Sequence, residues 1–215
     1  VHTGVKFEVS EGRLVLVAVD GARLAVRRED VNYNFEENSE LNFVVPSKTL
    51  SEILKLASDE EKDIEIRVGD RHIIFKIDEY EIISRLLEGN FLNYKSAIPL
   101  THTTKIIVPT KSIIECIERT SLIITDKSSP VRCIVEDGVM KFSSVTAIGT
   151  ANDKLAADIE GGNIEIGFNN RFVLDCLKAC DVDEIMIKMT GSNQPITFSP
   201  LEGDSFFFLV LPVRI

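Results

Sequence analysis

A cationic excess, metal-ligand spacing, a phosphate-binding glycine loop and long apolar runs are all lacking from this sequence of 215 residues. Each absence removes a class of function. Lysine and arginine total 24 against 34 acidic residues, a formal charge of -10. That excludes binding nucleic acid over the whole surface and leaves open a segregated basic face on an acidic body. No apolar run approaches the roughly 18 residues of a membrane span, so no membrane partner is expected. No signal peptide is visible at the start, and a cytoplasmic location is expected. The four cysteines, Cys116, Cys133, Cys176 and Cys180, lie in apolar-periodic segments and read as small core residues. Cys176 and Cys180 share a helix face, but no further Cys or His completes a ligand set; neither metal nor cofactor is expected. Gly161-Gly162 is an isolated turn rather than a phosphate loop. His2, His72 and His102 fall near the start, in a turn and in a linker, as surface residues. Asp59, Glu60, Glu61 and Asp63 read as a solvated loop. Nothing assembles a nucleophile with a base, so no catalytic residues are expected.

What is present is a repeat. Val44–Leu56 (VVPSKTLSEILKL), Ile107–Arg119 (IVPTKSIIECIER) and Gly167–Ala179 (GFNNRFVLDCLKA) align without gaps. Lys48, Lys111 and Arg171 coincide, and four residues later so do Glu52, Glu115 and Asp175. Apolar positions match at Leu50, Ile113 and Val173, and at Leu54, Ile117 and Leu177. Each copy leaves an apolar strand-like run and takes up helical spacing. Such recurrence is the signature of a repeated structural unit. The cation at each helix start costs up to about 1 kcal/mol beside the positive helix end. One such cation reads as a solvated charge. Three at equivalent positions point to something negative met by the same face of each unit.

The opening stretch alternates apolar and polar residues with turns at Glu11-Gly12 and Asp20-Gly21, an antiparallel meander. It lies at a constant shift over Pro130–Val145, where a helix over 109–124 comes first; the first copy lacks that helix, and we expect the chain to start inside a domain. Pro46 suits the first helical position, capped by Ser47 or the residue before the proline. Strands are predicted at 63–68, 72–77 and 80–86, then at 130–135, 138–144, 147–159, 163–167, 182–189, 194–199 and 205–211, with a helix at 168–180. In the first helix, Leu50, Ile53 and Leu54 form the stripe expected to bury against a sheet, leaving Lys48 and Lys55 outside. The aperiodic run LLEGNFLNYKSAIPLTHTT reads as an interdomain linker. The result is an α+β protein of two domains, 1–99 and 103–215, each built of repeated helix-plus-antiparallel-strand units.

At this point the chain resembles the bacterial DNA sliding clamps, the beta subunits of DNA polymerase III. The stretches that carry the likeness are Ala18–Val26 (AVDGARLAV), VVPSKTLSEILKL, Leu86–Pro99 (LLEGNFLNYKSAIP), Ile164–Leu177 (IEIGFNNRFVLDCL) and the terminal LVLPVRI. The resemblance covers essentially the whole chain and implies the DNA clamp fold, with a middle domain lacking its first helix and a complete C-terminal domain. It implies a non-catalytic processivity factor of DNA replication that forms a head-to-tail homodimeric ring around duplex DNA. Helices face the DNA, which makes Lys48, Lys55, Lys111 and Arg171 the candidate phosphate contacts. Leu122 and Ile123 match the C-terminal domain's dimer surface. Without the first domain the chain is expected to be monomeric.

The resemblance also implies a peptide groove that docks polymerase III subunits, the clamp loader and repair polymerases through a short linear motif with Gln, Leu and Phe anchors. Matched residue by residue, one wall is Val19, Gly21, Ala22, Arg23 and Leu24. The linker adds Leu92, Ser96 and Ala97. The far wall is Asn169, Phe172, Pro195, Leu209, Leu211, Pro212, Val213 and Arg214. An apolar tail past the last strand supports this independently, because it needs something to pack on. Leu92, Val19 and Ala22 depart from the family's usual residues, which bears on the smaller subpocket. The competing reading is a protein-binding scaffold without a DNA role, which leaves Lys48, Lys111 and Arg171 unexplained.

Overall fold

The computed structural model describes residues 3–32, 40–57, 63–125 and 129–215. His2 and the acidic residues at 59–61 lie outside the described residues. The chain forms two compact units, residues 1–20 with 26–93 and residues 21–25 with 94–215. No described helix is long and apolar enough to cross a membrane.

In the first unit, strands β1 (Gly4–Ser10), β2 (Arg13–Val19) and the end of β3 (Arg23–Asp30) form the meander, and β4 (Leu41–Pro46) pairs with β1. Glu11 and Gly12 turn with φ of 49° and 77°, and Asp137 and Gly138 in the second unit repeat this at 50° and 74°. Two successive positive φ angles match the twist of a tight hairpin, so the shift seen in the sequence is a repeat of the backbone itself. Helix α1 (Ser47–Leu56) follows β4 directly, and β5 (Glu65–Val68), β6 (His72–Ile77) and β7 (Tyr80–Arg85) make a separate antiparallel sheet. Phe7, Val45, Ile53, Ile73, Phe75 and Ile77 form the core.

Two expectations fail in this unit. Pro46 is the N-cap residue rather than the first helical one; its ψ of 135° is extended and its side chain accepts no bond, so the helix starts at Ser47. Leu54 is 74% exposed, although its counterparts Ile117 and Leu177 are fully buried. The cause is a missing neighbour. In the second unit α2 (Thr110–Ser121) and α3 (Asn170–Lys178) pack against each other, whereas α1 has no companion helix among the described residues of its unit.

The second unit opens with a 3-10 turn (Tyr94–Ala97) whose Tyr94 is buried. One sheet runs β12 (Asp158–Gly161), β8 (Thr104–Pro109), β14 (Glu184–Met189), β15 (Ile196–Ser199), β16 (Phe206–Val210). The other runs β11 (Gly149–Ala156), β10 (Val139–Thr146), β9 (Val131–Glu136), β13 (Ile164–Phe168). The strand expected at 147–159 is therefore two. The chain leaves one sheet after Ala156, Ala157 N–H donates to Gly138 O at 3.0 Å, and β12 joins the other sheet beside β8. Both helices and both sheets share one apolar core, which holds Cys116, Cys133 and Cys176. Burial pushes the Cys116 thiol up to about 12, and raises Cys133 as well.

Candidate functional site

Each helix begins at a strand's end, and this fixes where its first-turn cation stands. Lys48, Lys111 and Arg171 are the second residues of α1, α2 and α3, and none of the three helices has an acid in its first turn. All three cations are exposed. Lys111 lies 4.0 Å from Glu115, at the outer limit of an ion pair. Lys55, the fourth candidate, sits in the last turn of α1 and is engaged by Glu52 at 2.8 Å. Two further helix cations that sequence reasoning missed, Arg119 and Lys178, are bound to Asp153 at 2.6 Å and Glu118 at 2.5 Å. The Arg119 guanidinium holds the Asp153 carboxyl below its ordinary range. The late-turn cations thus have close acidic neighbours, while of the first-turn ones, among the described residues, only Lys111 has an acid within reach, and that at 4.0 Å.

Most groove candidates fall in the second unit, and several are brought together there. Arg23 Nη1 donates to Asp175 Oδ2 at 2.6 Å, and its guanidinium carbon stands 4.4 Å from the Phe172 ring centroid. A planar cation over an aromatic face is attracted by the ring quadrupole, so Arg23 is fixed by two residues on α3. Asn169 is the N-cap of α3, its Oδ1 accepting from Arg171 N–H at 3.0 Å and Phe172 N–H at 3.4 Å. Sequence reasoning missed the capping role, although Asn before an apolar-periodic run is its usual signal.

The tail is held at two points. Leu211 N–H donates to Ala22 O, and Val213 N–H to Gly167 O, each at 2.8 Å. A Cβ on Gly167 would collide with Ile215 and lie 2.6 Å from Val213 O, so only glycine admits this approach. Leu24 and Leu209 are each 4% exposed, while Leu211 is 42% exposed and Val213 and Arg214 are open to solvent. Leu211 and Val213 are therefore open to an incoming chain, and Leu24 and Leu209 are not. Ser96, Ala97 and Gly21 are exposed, and Ala22, Pro195 and Pro212 half-buried. Val19 and Leu92 belong to the first unit, half-buried and exposed respectively. Leu122 is 81% exposed just past α2, with Ile123 half-buried beside it.

Comparison with known proteins identifies the class. A family model described as "DNA polymerase III beta subunit, central domain" matches residues 1–93, and one described as the C-terminal domain of the same subunit matches residues 95–214. The chain belongs to the DNA polymerase III beta subunit family. It is 34% identical to a beta sliding clamp of Staphylococcus aureus over all of its length and 57% of the relative's. The solved DNA polymerase sliding clamp of Bacillus subtilis superposes with a TM-score of 0.93 at 31% identity, covering 99% of this chain and 57% of that one. A putative DNA polymerase III beta subunit from Eubacterium rectale gives 0.93 at 30% identity, with the same shares covered. The fold is the α+β clamp fold, and the chain spans about 57% of the length of the relatives it matches.

Proposed function

We propose that this chain is part of a sliding clamp, a non-catalytic processivity factor that encircles duplex DNA and tethers replication and repair proteins to it. Residues 1–99 act as the middle domain and 103–215 as the C-terminal one. The observation that carries the reading is the first-turn cation repeated on three helices of an acidic chain, at positions where a cation is locally disfavoured. A phosphate backbone offsets that cost without reading sequence. The assembled ring is a homodimer, with Leu122 and Ile123 part of the subunit contact; the 215-residue chain alone is expected to sediment as a monomer at micromolar concentration, and a stable dimer there would count against this.

Docking of polymerase III subunits, the clamp loader and repair polymerases uses the tail groove. Leu211 and Val213 receive the leucine and aromatic anchors of a Gln-Leu-x-Leu-Phe motif, and the Arg23–Phe172 pair forms a rim. The decisive experiment is loading of the full-length protein onto closed circular and linear duplex DNA. A clamp is retained on the circle and runs off the linear ends. Equal, salt-labile retention on both would leave only a protein-binding scaffold.

A further inference from the structure

On the face of the second unit's sheet turned away from its core, strand register sets four side chains in a row. Leu209 of β16 faces Thr197 of β15, Thr197 faces Lys188 of β14, and Lys188 faces Lys105 of β8. Lys105 is engaged by Glu160 on β12 at 3.2 Å. Among the described residues no hydrogen bond or ion pair reaches the Lys188 ammonium. It is half-buried, and a like charge stands directly opposite it, an arrangement that is destabilising on a sheet.

This lysine lines a cleft of about 240 Å³, together with His102, Thr190, Thr197, Ser199 and Pro195. Among the described residues no acidic one borders it. The wall carrying His102 is fixed: Thr190 Oγ1 donates to Thr101 O at 2.9 Å, and Thr103 N–H donates to Met189 O at 2.9 Å. The hydroxyls of Thr190 and Thr197 already donate to carbonyls, which leaves Lys188, His102 and Ser199 as donors for something that enters. A half-buried cation with hydroxyl and imidazole donors and no acid suits a carboxylate.

We propose that this cleft is an acid-reading subsite beside the peptide groove, taking the side chain of an Asp or Glu that flanks the apolar anchors of a docking peptide. The inference rests on the groove reading above. Two observations join the cleft to that groove. Pro195 belongs to both, and Leu209 faces Thr197 across one strand spacing of about 4.8 Å. Lys188 is one strand further. An extended peptide advances about 3.3 Å per residue, so an acid roughly three residues from an anchor reaches the ammonium.

The test is fluorescence polarisation with a labelled Gln-Leu-x-Leu-Phe peptide. Alanine, aspartate or lysine extensions are added at either end in separate peptides. The parent is expected to bind one aspartate-extended peptide about three- to fivefold tighter than its alanine counterpart, the size of a partly exposed ion pair. Lys188→Gln removes that preference, and Lys188→Glu transfers it to the lysine-extended peptide, with the alanine-extended peptide bound as by the parent. Melting curves confirm that both variants are folded. Equal binding of aspartate and alanine extensions at both ends, or an unchanged preference in Lys188→Glu, overturns the subsite while leaving the groove standing. Failure of the alanine-extended peptide to bind, or its indifference to Leu211→Asp, defeats the groove and the subsite with it. Stabilisation by inorganic phosphate in the parent but not in Lys188→Glu, without peptide discrimination, would mark a free-anion site and also overturn the proposal.

Discussion

Leu209 near the end of β16 and Leu211 just past it stand two residues apart, yet one is 4% and the other 42% exposed. That difference decides which of them can be mutated informatively. Leu211→Asp places a carboxylate where a peptide anchor would land, and burying it unpaired is costly. We expect peptide affinity to fall by about 2 kcal/mol or more with little change in melting temperature, and Lys48→Ala to leave affinity unaltered. Parent-like binding by Leu211→Asp in polarisation would rule the groove out. Leu24→Asp or Leu209→Asp instead puts a charge among buried side chains and should unfold the second unit. At Gly167 the expectation is structural. Gly167→Ala drives a methyl group into Ile215 and the Val213 carbonyl, an overpacking that costs about 1–3 kcal/mol. A denaturant midpoint equal to the parent's would show that the tail is not held there.

At the scale of elements, the three helices and the β-hairpin turns were legible because they rest on local patterns: 3.6-residue periodicity, alternation, and a Gly at a turn. What was not legible depends on neighbours remote in sequence. Leu54 matches Ile117 and Leu177 in pattern but lacks the second helix that covers those two. The break at Ala157 is set by a change of sheet, to which the run's composition gives no clue. Arg23–Asp175 joins residues 152 apart. Hence Leu54→Ser should change stability by under about 0.5 kcal/mol, whereas Ile117→Ala should cost about 2–5 kcal/mol; equal effects in thermal melts would contradict the packing described. The cysteines give a chemical check on the same core. Burial disfavours the thiolate, and Cys116, pushed up to about 12, stays protonated at pH 8. The native chain should therefore react quickly with a thiol reagent at Cys180 at most, and the urea-unfolded chain at all four.

On the scale of the whole molecule, a charge of -10 and a set of exposed helix-start cations pull in opposite directions, and their coexistence makes a paired prediction. Replacing Lys48, Lys111 and Arg171 by Gln removes three charges that lie beside positive helix ends, so the folded chain should melt at the same or a slightly higher temperature. If each of them meets a phosphate, binding of short duplex DNA by the full-length protein should lose about 0.9 per cation from the slope of log affinity against log salt, close to three per chain. Stability and DNA affinity thus move apart, which a merely structural role for these residues would not produce. Mixed surface charges elsewhere provide the control: Arg67 and Lys141 are engaged by Glu65 and Glu136, each at 2.6 Å, and their replacement by Gln should leave the salt slope where it was. A slope unchanged in the triple variant, or lowered equally in the control, would mean that the helix-start cations do not face the phosphates.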